Sequence, residues 1–213
     1  MRPGIGTYHR QLAAEKRALI TSAATDLFSE LGYDKTSLAR VAEHAGVSTA
    51  TMFKQFPTKA DLFEAIVLQF WAADPSADVT PPAPGEPSAA LRVLGARYAE
   101  ILNRPGMAGL HRMVIAEAPR FPELARMQFD LGKEPFFELV RDYIETESAD
   151  GRLAVTDAVR ATTEFLGMIS NFVLWPQLLL PEWSPSDQAI AETVESAVET
   201  FLSRYLARAG ETE

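Results

Sequence analysis

The apolar positions of residues 36–59, TSLARVAEHAGVSTATMFKQFPTK, form two short helical patterns separated by a glycine. Leu38, Val41, Ala42 and Ala45 stand at i, i+3, i+4 and i+7, one face of a helix. Thr36 or Ser37 can cap its start, because a hydroxyl oxygen accepts from a free backbone N–H. Gly46 follows the last periodic residue, where a left-handed cap needs no Cβ. Val47 is expected to turn back to the core. Ser48 is expected to cap a second helix carrying Thr49, Ala50, Thr51, Met52 and Phe53. Met52 and Phe56 have the spacing of buried positions.

The rest of the chain also reads as helices. Residues 1–10 are expected to be a flexible arm with two arginines. From Gln11 to Leu31 the apolar residues Leu19/Ile20, Ala23/Ala24, Leu27/Phe28 and Leu31 predict an amphipathic helix that Gly32 ends. Thr58, with Asp61 three residues on, predicts a capping box at the start of a helix running from Lys59 to about Ala73. That first turn, with the Lys59 ammonium, is a possible phosphate contact. Residues 74–87, DPSADVTPPAPGEP, hold five prolines and exclude regular structure. Helices follow at Ser88–Asn103, Met107–Glu117 and about Pro122–Glu147, the last with a kink or break near Gly132–Pro135. Two long, broadly apolar helices, Thr156–Leu174 and about Ser186–Arg208, finish the chain. The predicted fold is all-α: a flexible arm at 1–10, a three-helix head over 11–57, a connecting helix at 58–73, the Pro-rich loop at 74–87, and a larger helical body over 88–213.

Composition narrows the function. There are no cysteines, so disulfides and thiolate metal sites are excluded. The longest apolar run, FVLWPQLLLP at 172–181, is too short and too broken to cross a membrane. The N-terminus has no signal-peptide core, and a cytoplasmic location is expected. Residues 1–60 hold eight Lys/Arg against five Asp/Glu, and the other 153 residues hold twelve against twenty-four, giving the chain's net −9. A basic head on an acidic body suits a protein that presents one end to phosphate. The helix–glycine–helix pattern at 36–56 then reads as a helix-turn-helix, whose second helix enters the major groove. Histidines at 9, 44 and 111 have no metal spacing, and neither a G-x-S-x-G elbow nor a phosphate loop is present. No metal, cofactor or enzymatic activity is expected.

The run ITSAATDLFSELGYDKTSLARVAEHAGVSTATMFKQFPTKADLFEAIV resembles the DNA-binding domain of the TetR family of transcriptional regulators, over about residues 15–68. Paired alanines before LF, then GYDKTS, AGVS, an aromatic before Lys-Gln-Phe and a lysine opening the next helix carry the resemblance. It implies a repressor whose homodimer binds a palindromic operator of double-stranded DNA and lets go when a small molecule binds. Ser37 and Arg40 would then meet the DNA backbone or a flanking base. Ser48, Thr49, Ala50 and Thr51 would face the groove, and Lys54, Gln55 and Lys59 would meet phosphates. Phe53 departs from the family, which commonly has a tyrosine there. A phenyl ring cannot donate to phosphate, so one contact worth ~1.5–3 kcal/mol is missing.

The body carries the remaining expectations. A hydrophobic effector, aromatic or acyl, would sit among Tyr98, Met107, Leu110, His111, Met113, Val114, Phe129, Phe165, Met168 and Phe172. His111, Arg112, Asn171 and Gln177 are candidate polar anchors. The width of apolar surface on the last two helices predicts dimerisation through Phe165, Ile190, Val194, Ala197, Val198, Phe201 and Tyr205. The alternative is a helical protein-interaction module with a vestigial helix-turn-helix. A DNA reader keeps the face of residues 48–54 small, polar and exposed, whereas a protein-docking helix exposes large apolar anchors.

Overall fold

A computed structural model describes the backbone of residues 5–71 and 83–207, and side chains from residue 12 onward within those ranges. Its helices are α1 (Ile5–Leu31), α2 (Leu38–His44), α3 (Thr49–Gln55), α4 (Lys59–Trp71), α5 (Pro87–Leu102), α6 (Met107–Glu117), α7 (Pro122–Met127), α8 (Glu134–Ala149), α9 (Ala158–Val173), α10 (Trp175–Leu179) and α11 (Asp187–Tyr205). A π-helical segment, Gln128–Lys133, links α7 to α8. No strand occurs among the described residues. The all-α class is as expected, and no helix among them is long and apolar enough to cross a membrane.

The chain divides into two compact units: residues 1–70 with 109–131, and residues 71–108 with 132–213. This differs from the expected boundary. Most of α6, all of α7 and four of the six residues of the π-helical segment join the head rather than the body. Sequence adjacency cannot reveal such a return of the chain.

In the first unit, Ile20, Ala24 and Phe28 repeat every four residues along α1 and are buried with Val41, Met52, Phe56 and Leu62. Leu19 and Leu31, expected on the packing face, are instead exposed at 56% and 36%. They fall just off that four-residue stripe. α1 also begins at Ile5, so residues 5–10 extend the helix where an arm was expected; residues 1–4 lie outside the described residues. Tyr33 is the aromatic hub. Its ring lies 5.2 Å from Phe28, 6.0 Å from Phe63 and 5.2 Å from Phe121. Beside it Arg120 pairs with Asp34 at 3.0 Å, and the Asp34 backbone N–H donates to Glu117 Oε1 at 3.4 Å. Head and α6–α7 are thus joined by a shared aromatic cluster with a polar rim.

The second unit packs α5, α9 and α11 around Gly95. A Cβ there would come within 3.0 Å of Val194, 3.1 Å of Ile169 and 3.2 Å of Phe165, so the absent side chain lets three helices approach closely. Phe165 meets Phe201 edge-on at 5.6 Å, and Tyr98 stacks on Phe136 at 5.4 Å. Glu147 is fully buried. It accepts from the Gly85 N–H at 2.9 Å and from Arg152, which also pairs with Asp150. This clamp ties the end of the Pro-rich loop to α8; residues 74–82 of that loop lie outside the described residues. The expected break near Gly132–Pro135 is a π-helical widening. Gly132 lies against Trp71, whose Nε1 would be 2.5 Å from an added Cβ. Pro135 sits in the first turn of α8, where its missing N–H costs no helical bond. Pro176, expected only to break the apolar run, likewise starts the short α10.

Candidate nucleic-acid interface

The helix-turn-helix is built by three local devices. Ser37 caps α2, its side chain accepting from the Arg40 N–H at 3.2 Å. Thr36, the other candidate cap, is buried and donates to the carbonyls of Gly32 and Leu27. Gly46 takes φ +65°, the left-handed conformation that a Cβ would oppose. Ser48 then caps α3: its Oγ accepts from the Thr51 N–H at 3.1 Å and lies 2.9 Å from the Thr51 hydroxyl. Met52 and Phe56 anchor the buried side of α3, each at 0% exposure. Val47 is half-buried.

This register decides what α3 offers outward. Ser48, Thr49, Ala50, Phe53 and Lys54 are exposed, and Thr51 and Gln55 half-buried; on α2, Ser37 and Arg40 are exposed. The face is small and polar apart from Phe53, half of which is open to solvent at 50%. Ser48 and Thr51 spend much of their hydrogen-bonding capacity on the cap. Methyl groups and the exposed hydroxyl of Thr49 are left for base edges. Arg17 of α1, not singled out in the sequence, sits 4.3 Å over the Phe56 ring and its Nη1 lies 3.5 Å from the Gln55 carbonyl, bracing the end of α3. A basic residue on the α1 turn before Ile20 was the available signal.

Lys59 is a correction. It was expected to meet phosphate. Its Nζ instead donates to the carbonyls of Tyr33, Thr36 and Asp34, at 2.7, 3.1 and 3.3 Å, and lies 4.3 Å over the Tyr33 ring. An ammonium has three donors, and all three are used. Burial lowers the Lys59 pKa, against the opposing pull of Asp34 and Glu117. The start of α4 is also less open to an anion than expected. The Thr58 N–H and hydroxyl both donate to Asp61, and the Asp61 N–H donates back to Thr58, which places a carboxylate at the helix terminus.

Residues 20–66, which contain this assembly, match the family described as bacterial regulatory proteins, tetR family. Residues 89–207 match the AefR-like transcriptional repressor C-terminal domain of the same family. The chain belongs to the TetR family. It is a helix-turn-helix DNA-binding transcriptional regulator, and its family consists of regulators rather than enzymes. The HTH-type transcriptional regulator RutR of Escherichia coli K12 is 39% identical over 71 residues, which cover 32% of this chain and 33% of RutR. The aligned stretch thus spans about a third of the curated relative. A putative TetR-family regulator from Mesorhizobium loti superposes with a TM-score of 0.76 at 26% identity, covering 92% of this chain and 98% of that one. The flavonoid-responsive regulator FrrA superposes with a TM-score of 0.70 at 26% identity, covering 92% and 100%.

Other TetR-family features predicted from the sequence are distributed between the units. Leu110, His111, Met113, Val114 and Phe129 belong to the first; Tyr98, Met107, Phe165, Met168 and Phe172 to the second. Within the second unit, Tyr98 and Phe165 are committed to the aromatic packing described above. Burial raises the Tyr98 pKa to about 12. Phe129 is 47% exposed, and Met107 fully buried. Of the anchor candidates, Gln177 donates to the Val173 carbonyl at 2.6 Å and lies 3.3 Å from Asn103 Oδ1, while Asn171 is exposed. Five of the seven expected dimer residues lie inside the chain, and Ile190 is half-buried. Phe165, Val194, Ala197, Val198 and Phe201 are at most 5% exposed within one chain, so they form its core and have little surface left to bury against a partner. Tyr205 is half-buried, and its hydroxyl donates to Glu164 at 2.7 Å. A sequence pattern cannot distinguish burial inside a chain from burial between chains. The outward side of α9 and α11 instead forms an open groove of about 570 Å³, lined by Met168, Asn171, Phe172, Ala189, Glu192, Thr193, Ser196 and Ala197. Beyond it, Trp175 and Leu179 of α10 are exposed at 57% and 68%. Among the described residues no cluster of three or more metal-ligating side chains occurs.

Proposed function

We propose that the protein is a cytoplasmic repressor that binds a palindromic operator as a homodimer and is released by a hydrophobic small molecule. The observation that carries the DNA half is the capped, glycine-turned pair α2–α3 with the small polar face of α3 outward. Thr49, Ala50 and Thr51 read base edges, largely through methyl and hydroxyl contacts. Ser37, Arg40, Lys54 and Gln55 meet the backbone. The match to an AefR-like repressor C-terminal domain favours repression over activation. The structural similarity to a flavonoid-responsive regulator favours an aromatic, hydroxylated effector over an acyl one.

The dimer forms over the α9–α11 groove, with the exposed apolar side chains of α10 completing the contact. Gly167 lies on exposed α9 with open space around it, so a long side chain there leaves the monomer intact. Selection from a random duplex library is the test. Recovered sequences form an inverted repeat, and binding falls steeply with salt. Gly167→Arg yields a monomer with weakened operator affinity. A recovered site without two-fold symmetry, or a Gly167→Arg protein that remains a dimer, overturns the respective half of the reading.

A further inference from the structure

The positive balance of the head does not come from the helix-turn-helix. Residues 21–60 hold four Lys/Arg against four Asp/Glu, whereas residues 1–20 hold Arg2, Arg10, Lys16 and Arg17 against Glu15 alone. Of the four later cations, Lys59 is already spent on carbonyls. The excess therefore lies ahead of Ile20, where α1 enters the core. From Leu12 to Leu19 every side chain of this 27-residue helix is exposed except Lys16, which is half-buried. Helical register orders the charges. The side of α1 that is apolar at Ile20, Ala24 and Phe28 turns basic one turn earlier, at Lys16 and Arg17, and Arg10 stands two turns before Arg17 in line with it. Arg17 joins this stripe to the reading helix. Its guanidinium lies 4.3 Å over the Phe56 ring, and its Nη1 donates to the carbonyl of Gln55, the last residue of α3, at 3.5 Å. A guanidinium has five donors, and Arg17 is exposed, so most of its fork is left for an acceptor beside the end of α3.

We propose that the basic side of α1 ahead of Ile20 is a second DNA-contacting element, in which Arg17, Lys16 and Arg10 bind phosphates of the duplex next to the groove that α3 reads. This rests on the reading of α3 as the base-reading helix. Charge selects a polyanion, and the continuity of the stripe with α3 through Arg17 selects the one that α3 engages. These contacts fix register and strength but carry no sequence information, because the phosphates are alike at every base step. They supply the charge that a neutral helix-turn-helix lacks.

The test uses the full chain, the duplex recovered by selection and a random-sequence duplex. Arg17→Ala lowers the slope of log affinity against log salt by about one for each half-site and weakens both duplexes alike. Lys16→Gln and Arg10→Gln each do the same, and Arg17→Lys keeps the wild-type slope. Arg126→Gln removes the same charge from an exposed position of α7 in the same compact unit and leaves the slope unchanged. Each variant keeps the circular dichroism of the wild type. A slope unchanged in Arg17→Ala leaves Arg17 a brace for α3 and overturns the proposal, as does an altered base preference when its selection is repeated, or an equal loss in Arg126→Gln. Arg17-dependent capture by phosphatidylglycerol vesicles, with the duplex slope unchanged, assigns the basic side to a membrane surface and overturns it too. Failure to select any operator defeats the base-reading role of α3 instead. The random-sequence duplex still tests α1 in that case, since its binding rests on phosphates alone.

Discussion

The two compact units solve the same problem, holding helices together, with different chemistry. The first ties its loops with side chains bonded to backbone: Ser37, Ser48, Thr36, Thr58 and above all Lys59. The second relies on close helix approach at Gly95, aromatic pairs and one buried carboxylate. The difference follows from what each must present. A short reading helix such as α3, seven residues long, has little packing of its own and depends on caps. Longer helices with broad apolar faces need only to interdigitate. Local polar devices therefore set the geometry of the DNA-reading face, and side-chain volume sets that of the body.

The largest expected effect strikes the second unit. Glu147→Ala leaves the Gly85 N–H without an acceptor and Arg152, a third exposed, with Asp150 alone, which costs roughly 3 kcal/mol in denaturant unfolding. Burial pushes the Glu147 carboxyl up, but the bonds from Arg152 and the Gly85 N–H, with the charge of Arg152, outweigh it and hold the pKa below the ordinary 4.5. That contribution is present above pH 4.5 and is lost as pH falls through the lowered value. Glu147→Gln removes this acid sensitivity. An unfolding curve whose acid limb is unchanged in Glu147→Gln breaks the assignment.

A smaller effect belongs to the first unit. Lys59→Met removes three charge-assisted bonds and destabilises the head by ~1.5–3 kcal/mol. Operator affinity drops, but the slope of log affinity against log salt stays the same, since all three Lys59 donors are spent on carbonyls. A slope reduced by about one would return Lys59 to the DNA contacts. The smallest contrast is in alkali. Burial raises Tyr33, with a further push from Glu123, and Tyr98 to about 12. Each raised value contributes stability that is complete below pH 10 and is lost as pH climbs to about 12. Both units weaken together there, and spectrophotometric titration of the tyrosines checks it.

Local signals were legible in the sequence. Gly46, Ser37, Ser48 and the Thr58–Asp61 box act as caps because capping depends on residues within one turn. The ends of α5, α6, α9 and α11 fall within about three residues of expectation for the same reason. Non-local facts were not legible. The joining of residues 109–131 to the head depends on the Tyr33–Phe121 contact across 88 positions. A lysine at a helix start reads as free until the chain folds three carbonyls onto it. Apolar residues on α11 read alike whether they meet α5 or another molecule.

The placement of Trp71 has a practical consequence. The chain's three tryptophans, at 71, 175 and 183, all fall in the second unit, Trp71 buried at the end of α4 and the other two exposed. The DNA-reading unit has none. Intrinsic tryptophan emission therefore reports the second unit almost alone, and the reading helices can fray, refold or engage DNA largely outside its view. Trp175 lies on the surface proposed for dimer contact, so a shift in its emission with protein concentration would signal assembly without any label.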